Sequence, residues 1–450
     1  MKPTFATLAD VERHLADHTD YEKMARFAYH ERAFNLDRTR RLLERLGNPE
    51  RAFRAVHVAG TKGKGSVCHM IETVLRGHGL STGLFTSPHL VSLAERVRLD
   101  GRPAPEADLC AGMARVAAAC ATPGPAGEEP PTFFERIFAL ACLLFAERGA
   151  AWAVMETGLG GRLDATNVLH PRACVITRLA LDHTHVLGNT LEEIASEKAG
   201  ILEKGVPAVV AEQPPEALRV VERAADGVGA PLWRVGREIA FETRERADGR
   251  FGIELDVKTP RGDFDRLPLG LAGWHQAGNA AAAVGATALL AAETGTAPDP
   301  ATLRGRLDAL RLPGRLEKVR ENPPTIVDVA HNAASMETSL RALDAFFPRE
   351  RLVAVAGFSR DKDVSAALAP LASRAASLFL TSSGNARAAA PEDLEAEARK
   401  RGAGDVKAFE DAVEALDASA ASCKPGDLLL ITGSFYLAGK ALRHLGVDVR

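Results

Sequence analysis

Residues 55–70 read AVHVAGTKGKGSVCHM: an apolar run, a glycine-rich loop and the start of a helix, in that order. VHVA has the β-branched, apolar character of a buried strand. SVCHMIETVLRGHG then repeats apolar residues at helical spacing, with Val67, Met70, Ile71, Val74 and Leu75 on one face and Gly77 and Gly79 closing it. A strand that passes straight into a helix calls for a parallel neighbour, which confines the chain to α/β architectures. Between strand and helix lies GTKGKGS, formed by Gly60, Thr61, Lys62, Gly63, Lys64, Gly65 and Ser66. Glycines let backbone N–H groups converge on an anion, and the following helix adds the positive end of its dipole. Lys64 and Ser66 fit the lysine and the hydroxyl that such loops direct at phosphate and Mg²⁺, although Gly65 separates them where the common signature has lysine and hydroxyl adjacent. The bland alternative is a glycine-rich turn.

The same alternation continues along the chain. TFFERIFALACLLFAERG reads as a buried helix, AWAVMETG and CVITRLAL as strands, and TLEEIASEKAGILEKG as a helix opened by a capping box from Thr190 to Glu193. FETRERADGRFGIELDV alternates around Asp248–Gly249, a hairpin signal. After the turn-rich TGTAPDP, residues 294–300, strands and helices restart with TIVDVAHN and end with DLLLITGS and FYLAGKALRHLG. The reading is α/β in two domains: a phosphate-loop ATPase domain, residues 1–312, with a mostly parallel sheet and a β insertion at about 238–270, and a smaller Rossmann-like domain, residues 313–450.

Composition narrows the class. With 46% hydrophobic and 26% charged residues the chain matches a soluble globular protein, and a net charge of −3 argues against a bulk nucleic-acid binder. The six cysteines form no CxxC pair, so a zinc knuckle or thioredoxin-type site is not indicated. MKPTFATLADVERHLADH lacks the apolar stretch of a signal peptide, and no uncharged run reaches membrane-spanning length. The expectation is a cytoplasmic monomer, with neither nucleic acid nor membrane as a partner.

A phosphate loop alone does not name a reaction, since kinases, GTPases and ligases all use one. METGLGGRLDATN, residues 155–167, puts Glu156 at the carboxyl end of a strand, where α/β sheets bind ligands and a carboxylate can meet Mg²⁺. LDHTHVLG, residues 181–188, carries Asp182, His183 and His185, and SEKAGI carries Lys198 on a helix. Each alone is also what a solvated or capping residue looks like.

Taken together, HVAGTKGKGS, TSPHL, TFFE, ETGLGGRLDATN, LDHTHVLGNTLEEIASEKAGI, HQAGNAA, PGRLE, DVAHN and TGSFYLAG, in this order from about residue 33 to residue 440, closely resemble the folylpolyglutamate synthase family, including its bifunctional dihydrofolate synthase members, in the Mur ligase superfamily. The resemblance implies ATP-dependent ligation of L-glutamate to a folate or to dihydropteroate through an acyl phosphate. It implies ATP and Mg²⁺ as cofactors, with Ser66, Ser87, Glu156 and His183 as metal ligands and a carbamylated Lys198 at the metal site. It makes Lys64, Asp164, Lys198 and His331 catalytic, gives Asn279, Arg315, Asp328 and His331 to the nucleotide beside the loop residues, and gives Thr132 and Phe133 to the pterin. In that family ATP is held between the two domains. SRDKD, residues 359–363, matches a family loop without a role for Lys362.

Two departures stand out. Lys62 replaces the usual asparagine, which leaves Lys64 for the nucleotide and Lys62 as a loop or substrate-side charge, and Val329 replaces a common glycine. Another Mur-type amino-acid ligase is the alternative enzyme; it usually has threonine after the loop lysine and a further N-terminal domain, for which the residues before the loop are too few. A kinase or GTPase would not need Lys198, and a non-catalytic nucleotide-binding module would need neither Lys198 nor Glu156.

Overall fold

The computed structural model describes all residues except 1–2, 23, 25–33, 296–297, 349–350, 361–362, 386 and 449–450. Within SRDKD, Asp361 and Lys362 therefore lie outside the described residues. Two compact units form: Met1–Thr243 with Leu255–Pro268 and Ala277–Asp308, and Arg244–Glu254 with Leu269–Gln276 and Ala309–Arg450.

The first unit is built on eight strands: β1 (Arg54–Ala59), β2 (Thr82–Phe85), β3 (Val97–Leu99), β4 (Arg102–Pro103), β5 (Trp152–Glu156), β6 (Pro171–Ile176), β7 (Ala208–Val210) and β8 (Leu232–Arg234), in the order β4-β3-β2-β5-β1-β6-β7-β8. Strands β2, β5, β1, β6, β7 and β8 run parallel, while β3 pairs antiparallel with both β2 and β4. β1 is central and apolar, with Val56, Val58 and Ala59 fully buried, as a strand covered on both faces requires. Register then sets the site. Val58 pairs with Glu156 and Ala59 with Ile176, so the ends of β5 and β6 flank the mouth of the glycine loop. The helix Lys64–Gly77 buries Val67, Met70, Ile71, Val74 and Leu75, the face its spacing predicts. The helix Leu191–Ala199 stops earlier than its sequence pattern suggests, because Gly200 caps it and the chain turns.

β9 (Ala240–Glu245), β10 (Ile253–Thr259) and β11 (Gly262–Leu269) form a three-stranded sheet in the order β11-β10-β9, with Gly249 at positive φ in the turn. The alternation around Asp248–Gly249 marks β9 and β10; β11 lies beyond that pattern.

The second unit contains β12 (Glu317–Glu321), β13 (Pro324–Val327), β14 (Arg351–Ala356), β15 (Ser377–Thr381), β16 (Asp405–Phe409) and β17 (Asp427–Thr432), in the order β12-β13-β17-β14-β15-β16. Five strands are parallel and β12 is an antiparallel edge. β17 lies between β13 and β14 in this order, so these two strands, adjacent in the sequence, are not adjacent in the sheet.

Candidate active site

The glycine loop is fixed by what surrounds it. Thr61 N and Lys62 N donate to Arg178 O at 3.1 and 3.0 Å, and Thr61 Oγ1 donates to Ala180 O at 3.2 Å. Gly63 holds φ +89, and a Cβ there would fall 2.3 Å from Asn279 Oδ1, so only glycine fits. Gly63 is also the N-cap of Lys64–Gly77, and no side chain caps this helix. Its first N–H groups lack intrahelical partners and face the loop mouth, as an anion site requires.

Lys64 and Glu156 meet at that mouth. Lys64 Nζ lies 4.0 Å from Glu156 Oε1, both side chains being largely buried. Glu156 Oε2 accepts from Ser87 N at 3.1 Å, which places TSPHL against the same carboxylate. Ser66 is buried in the first helical turn. His183 is half-exposed with φ +51, its Nε2 4.0 Å from Asp182 Oδ1. Among the described residues no group of three or more His, Cys, Asp and Glu could by itself hold a metal.

Asp164 is buried and committed to its own loop. Its Oδ2 accepts from Leu159 N at 2.9 Å, and its Oδ1 accepts from Thr166 N at 3.0 Å and Thr166 Oγ1 at 2.5 Å. Burial is the main cause that raises its carboxyl above the usual range, against these hydrogen bonds. His57 Nε2 sits 2.8 Å from the same Thr166 hydroxyl. Because that hydroxyl gives its single proton to Asp164, His57 must donate from Nε2. Its Nδ1 has no partner among the described residues, and burial pushes its protonation down to about 3.

Lys198 faces inward. Ile194, four residues earlier, is fully buried, and Lys198 is 4% exposed. Burial first, then the charge of Lys64, pushes its ammonium down to about 7, with Asp182 and Asp164 opposing.

Thr132 and Phe133 have structural engagements. Thr132 caps Phe133–Glu147 in a capping box with Glu135, which also forms a buried two-point ion pair with Arg38. Phe133 belongs to the core, beneath the guanidinium of Arg96 at 5.2 Å. Arg96, which no sequence pattern marks, is buried and donates to both carboxylate oxygens of Glu22, at 2.8 and 2.6 Å, and to His89 Nδ1 of TSPHL at 2.8 Å.

Arg315, Asp328 and His331 gather in the second unit. Asp328 is buried and accepts from Leu316 N, Ala330 N and Ser339 Oγ at 3.0, 3.0 and 2.7 Å. The Arg315 guanidinium and the His331 ring both face Phe435, at 5.4 and 6.0 Å. Phe435 opens the helix that follows the glycine at the end of β17.

The Mur ligase middle domain matches residues 58–287, and the Mur ligase glutamate ligase domain residues 314–435. The chain is 33% identical over 411 residues to the dihydrofolate synthase/folylpolyglutamate synthase of Bacillus subtilis, which covers 91% of this chain and 94% of that one. It is 34% identical over 401 residues to the dihydrofolate synthase/folylpolyglutamate synthase of Escherichia coli, 89% of each. Among solved structures, Mycobacterium tuberculosis folylpolyglutamate synthase complexed with ADP and AMPPCP matches with a TM-score of 0.88 at 32% identity over 99% of both chains. E. coli FolC in complex with DHPP and ADP matches with a TM-score of 0.85 at 31% identity, again over 99% of both.

Proposed function

The chain belongs to the dihydrofolate synthase/folylpolyglutamate synthase family of the Mur ligases, and from that premise we propose how its residues serve the reaction. It is an ATP-dependent ligase that joins L-glutamate to a folate. The observation that carries the site reading is the uncapped start of Lys64–Gly77 with Lys64 Nζ and Glu156 Oε1 4.0 Å apart beside it.

The free N–H groups that open Lys64–Gly77, at the end of the loop from Gly60 to Ser66, receive the ATP phosphates, and Lys64 offsets charge on the outer ones. The folate carboxylate attacks the γ-phosphorus and ADP leaves. The amine of glutamate then attacks the acyl phosphate; the amide forms as phosphate and one proton depart. Such transfer depends on positioning and charge neutralisation, which a rigid, partly buried loop supplies. Asn279, packed against Gly63, and Arg315, Asp328 and His331 of the second unit are the remaining nucleotide contacts of this reading.

Glu156 fits a hard divalent cation: it is a buried carboxylate beside Ser87 and facing Gly65, whose added Cβ would lie 3.5 Å from Oε2. Mg²⁺ takes one or two carboxylates together with phosphate oxygens, a set to which Glu156 can contribute one carboxylate. Glu156, Ser66, Ser87 and His183 would hold it, and it would neutralise the outer phosphates. Lys198 is read as carbamylated: its buried amine adds to CO₂, an N–C bond forms, and one proton leaves. Charge at this position then changes from a costly buried cation to an anion suited to a metal site. Asp164 serves by holding GLGGRLDATN in shape, and Thr132 and Phe133 are read as pterin contacts that also cap and pack their own helix. Six unpaired cysteines fit a reducing cytoplasm, and no helix among the described residues is long and apolar enough to cross a membrane.

The test is direct. Purified protein receives ATP, Mg²⁺ and glutamate with either tetrahydrofolate or dihydropteroate, and ADP and glutamyl conjugates are measured. Conjugates from both acids establish a bifunctional enzyme, and conjugates from neither overturn the reading.

A further inference from the structure

Lys62 directs its charge at a carboxylate of the chain itself. Its Nζ donates to Asp182 Oδ2 at 2.8 Å. The same Asp182 accepts from His183 N through Oδ1 at 3.0 Å, and that oxygen lies 4.0 Å from His183 Nε2. Backbone bonds join the two segments as well, since Thr61 and Lys62 donate to Arg178 O and form an antiparallel bridge there. His183 holds φ +51, a backbone state that non-glycine residues occupy only when their surroundings fix it.

We propose that Lys62 is a positioning residue, which through Asp182 locks the His183 segment onto the phosphate loop and so sets the affinity for the divalent cation that accompanies ATP. The inference rests on the function proposed above and adds a role for the one loop cation not spent on phosphate. An ammonium paired at 2.8 Å with an anion already has its charge answered, so it acts on the ligand through what Asp182 orients. Partners that orient a metal ligand commonly change metal affinity by about 10–100-fold when removed.

A double-mutant cycle with Lys62→Met, Asp182→Asn and both together tests this on the full chain. Binding of a non-hydrolysable ATP analogue is titrated against Mg²⁺, with melting temperature recorded for each variant. Each single change is expected to raise the half-saturating Mg²⁺ concentration by about tenfold. The double variant should be no worse than either single one, and Lys62→Arg should stay near the unmodified protein. Analogue affinity without Mg²⁺ should not move. Additive shifts in the double variant would overturn the proposal, and so would an unchanged Mg²⁺ requirement. A Mg²⁺-independent loss of affinity in Lys62→Met would overturn it too, by making Lys62 a phosphate contact. Should Lys62→Met fail to fold, Lys62→Ala carries the same readout. Nucleotide binding is read without acid or amine, so failure to form a glutamyl folate would sink the function and leave this cycle interpretable.

Discussion

Lys64 Nζ stands 4.0 Å from Glu156 Oε1, although one begins the helix after β1 and the other ends β5. Adjacent parallel strands in register, Val58 against Glu156, bring a cation and an anion to one mouth. The cation suits phosphate and the anion suits the metal that accompanies it. Lys64→Ala should therefore lower ATP-dependent ligation by about 100-fold or more. The fold should persist, because the side chain is not part of the core. ADP release by a folded variant is the measurement; a near-normal rate would remove Lys64 from its role.

Gly63→Ala meets two obstacles, a positive φ and a contact of 2.3 Å with Asn279 Oδ1. Gly205 has φ +72 but open space around a Cβ, so Gly205→Ala isolates the backbone cost. Strain of this kind costs roughly 1–3 kcal/mol. Urea denaturation should show Gly63→Ala as the more destabilised of the two, with the excess reduced by adding Asn279→Ala. Calorimetry should also show weakened ATP binding in Gly63→Ala. Equal destabilisation at both glycines would mean that the Asn279 contact is not felt.

Lys198→Ala should abolish ligation, and short carboxylic acids should restore part of it by occupying the space of the carbamate. Intact-protein or peptide mass analysis under CO₂ should detect one added CO₂ at Lys198. Full activity of the alanine variant, with an unmodified lysine in a dense active-site map, would leave this side chain a purely structural amine.

His57 makes acid stability diagnostic. Its protonation is pushed from an ordinary 6.5 to about 3 by burial. Between these values the unfolded chain binds the proton and the native chain does not. The contribution is complete above pH 6.5 and is lost as pH falls toward 3. His57→Gln should flatten the decline in urea midpoint over this range. The flattening should be partial, because His18 is also held down, to about 4. At neutral pH the variant should lose about 1 kcal/mol from the broken bond to Thr166. An unchanged acid slope would show that the imidazole is not held neutral.

The local parts of this protein are legible in its sequence. GTKGKGS announces its loop because glycines at positive φ and a following 3.6-residue period are properties of neighbouring residues. The inward turn of Lys198 follows in the same way from Ile194 one helical turn before it. Direction of pairing is not written locally: β3 and β4 at one end of the first sheet and β12 at the edge of the other pair antiparallel in sheets whose alternation reads as parallel, because a strand's composition does not name its partner. The site's bonds are further still from the local pattern. Lys62 meets Asp182 across 120 positions, His57 meets Thr166 across 109, and Asn279 closes on Gly63 from a distant helix. Sequence determined which groups could hold a nucleotide phosphate. Tertiary structure decided which of them meet, because the strand order β5-β1-β6 sets the ends of segments far apart in the chain side by side, and no periodicity within one segment encodes that order.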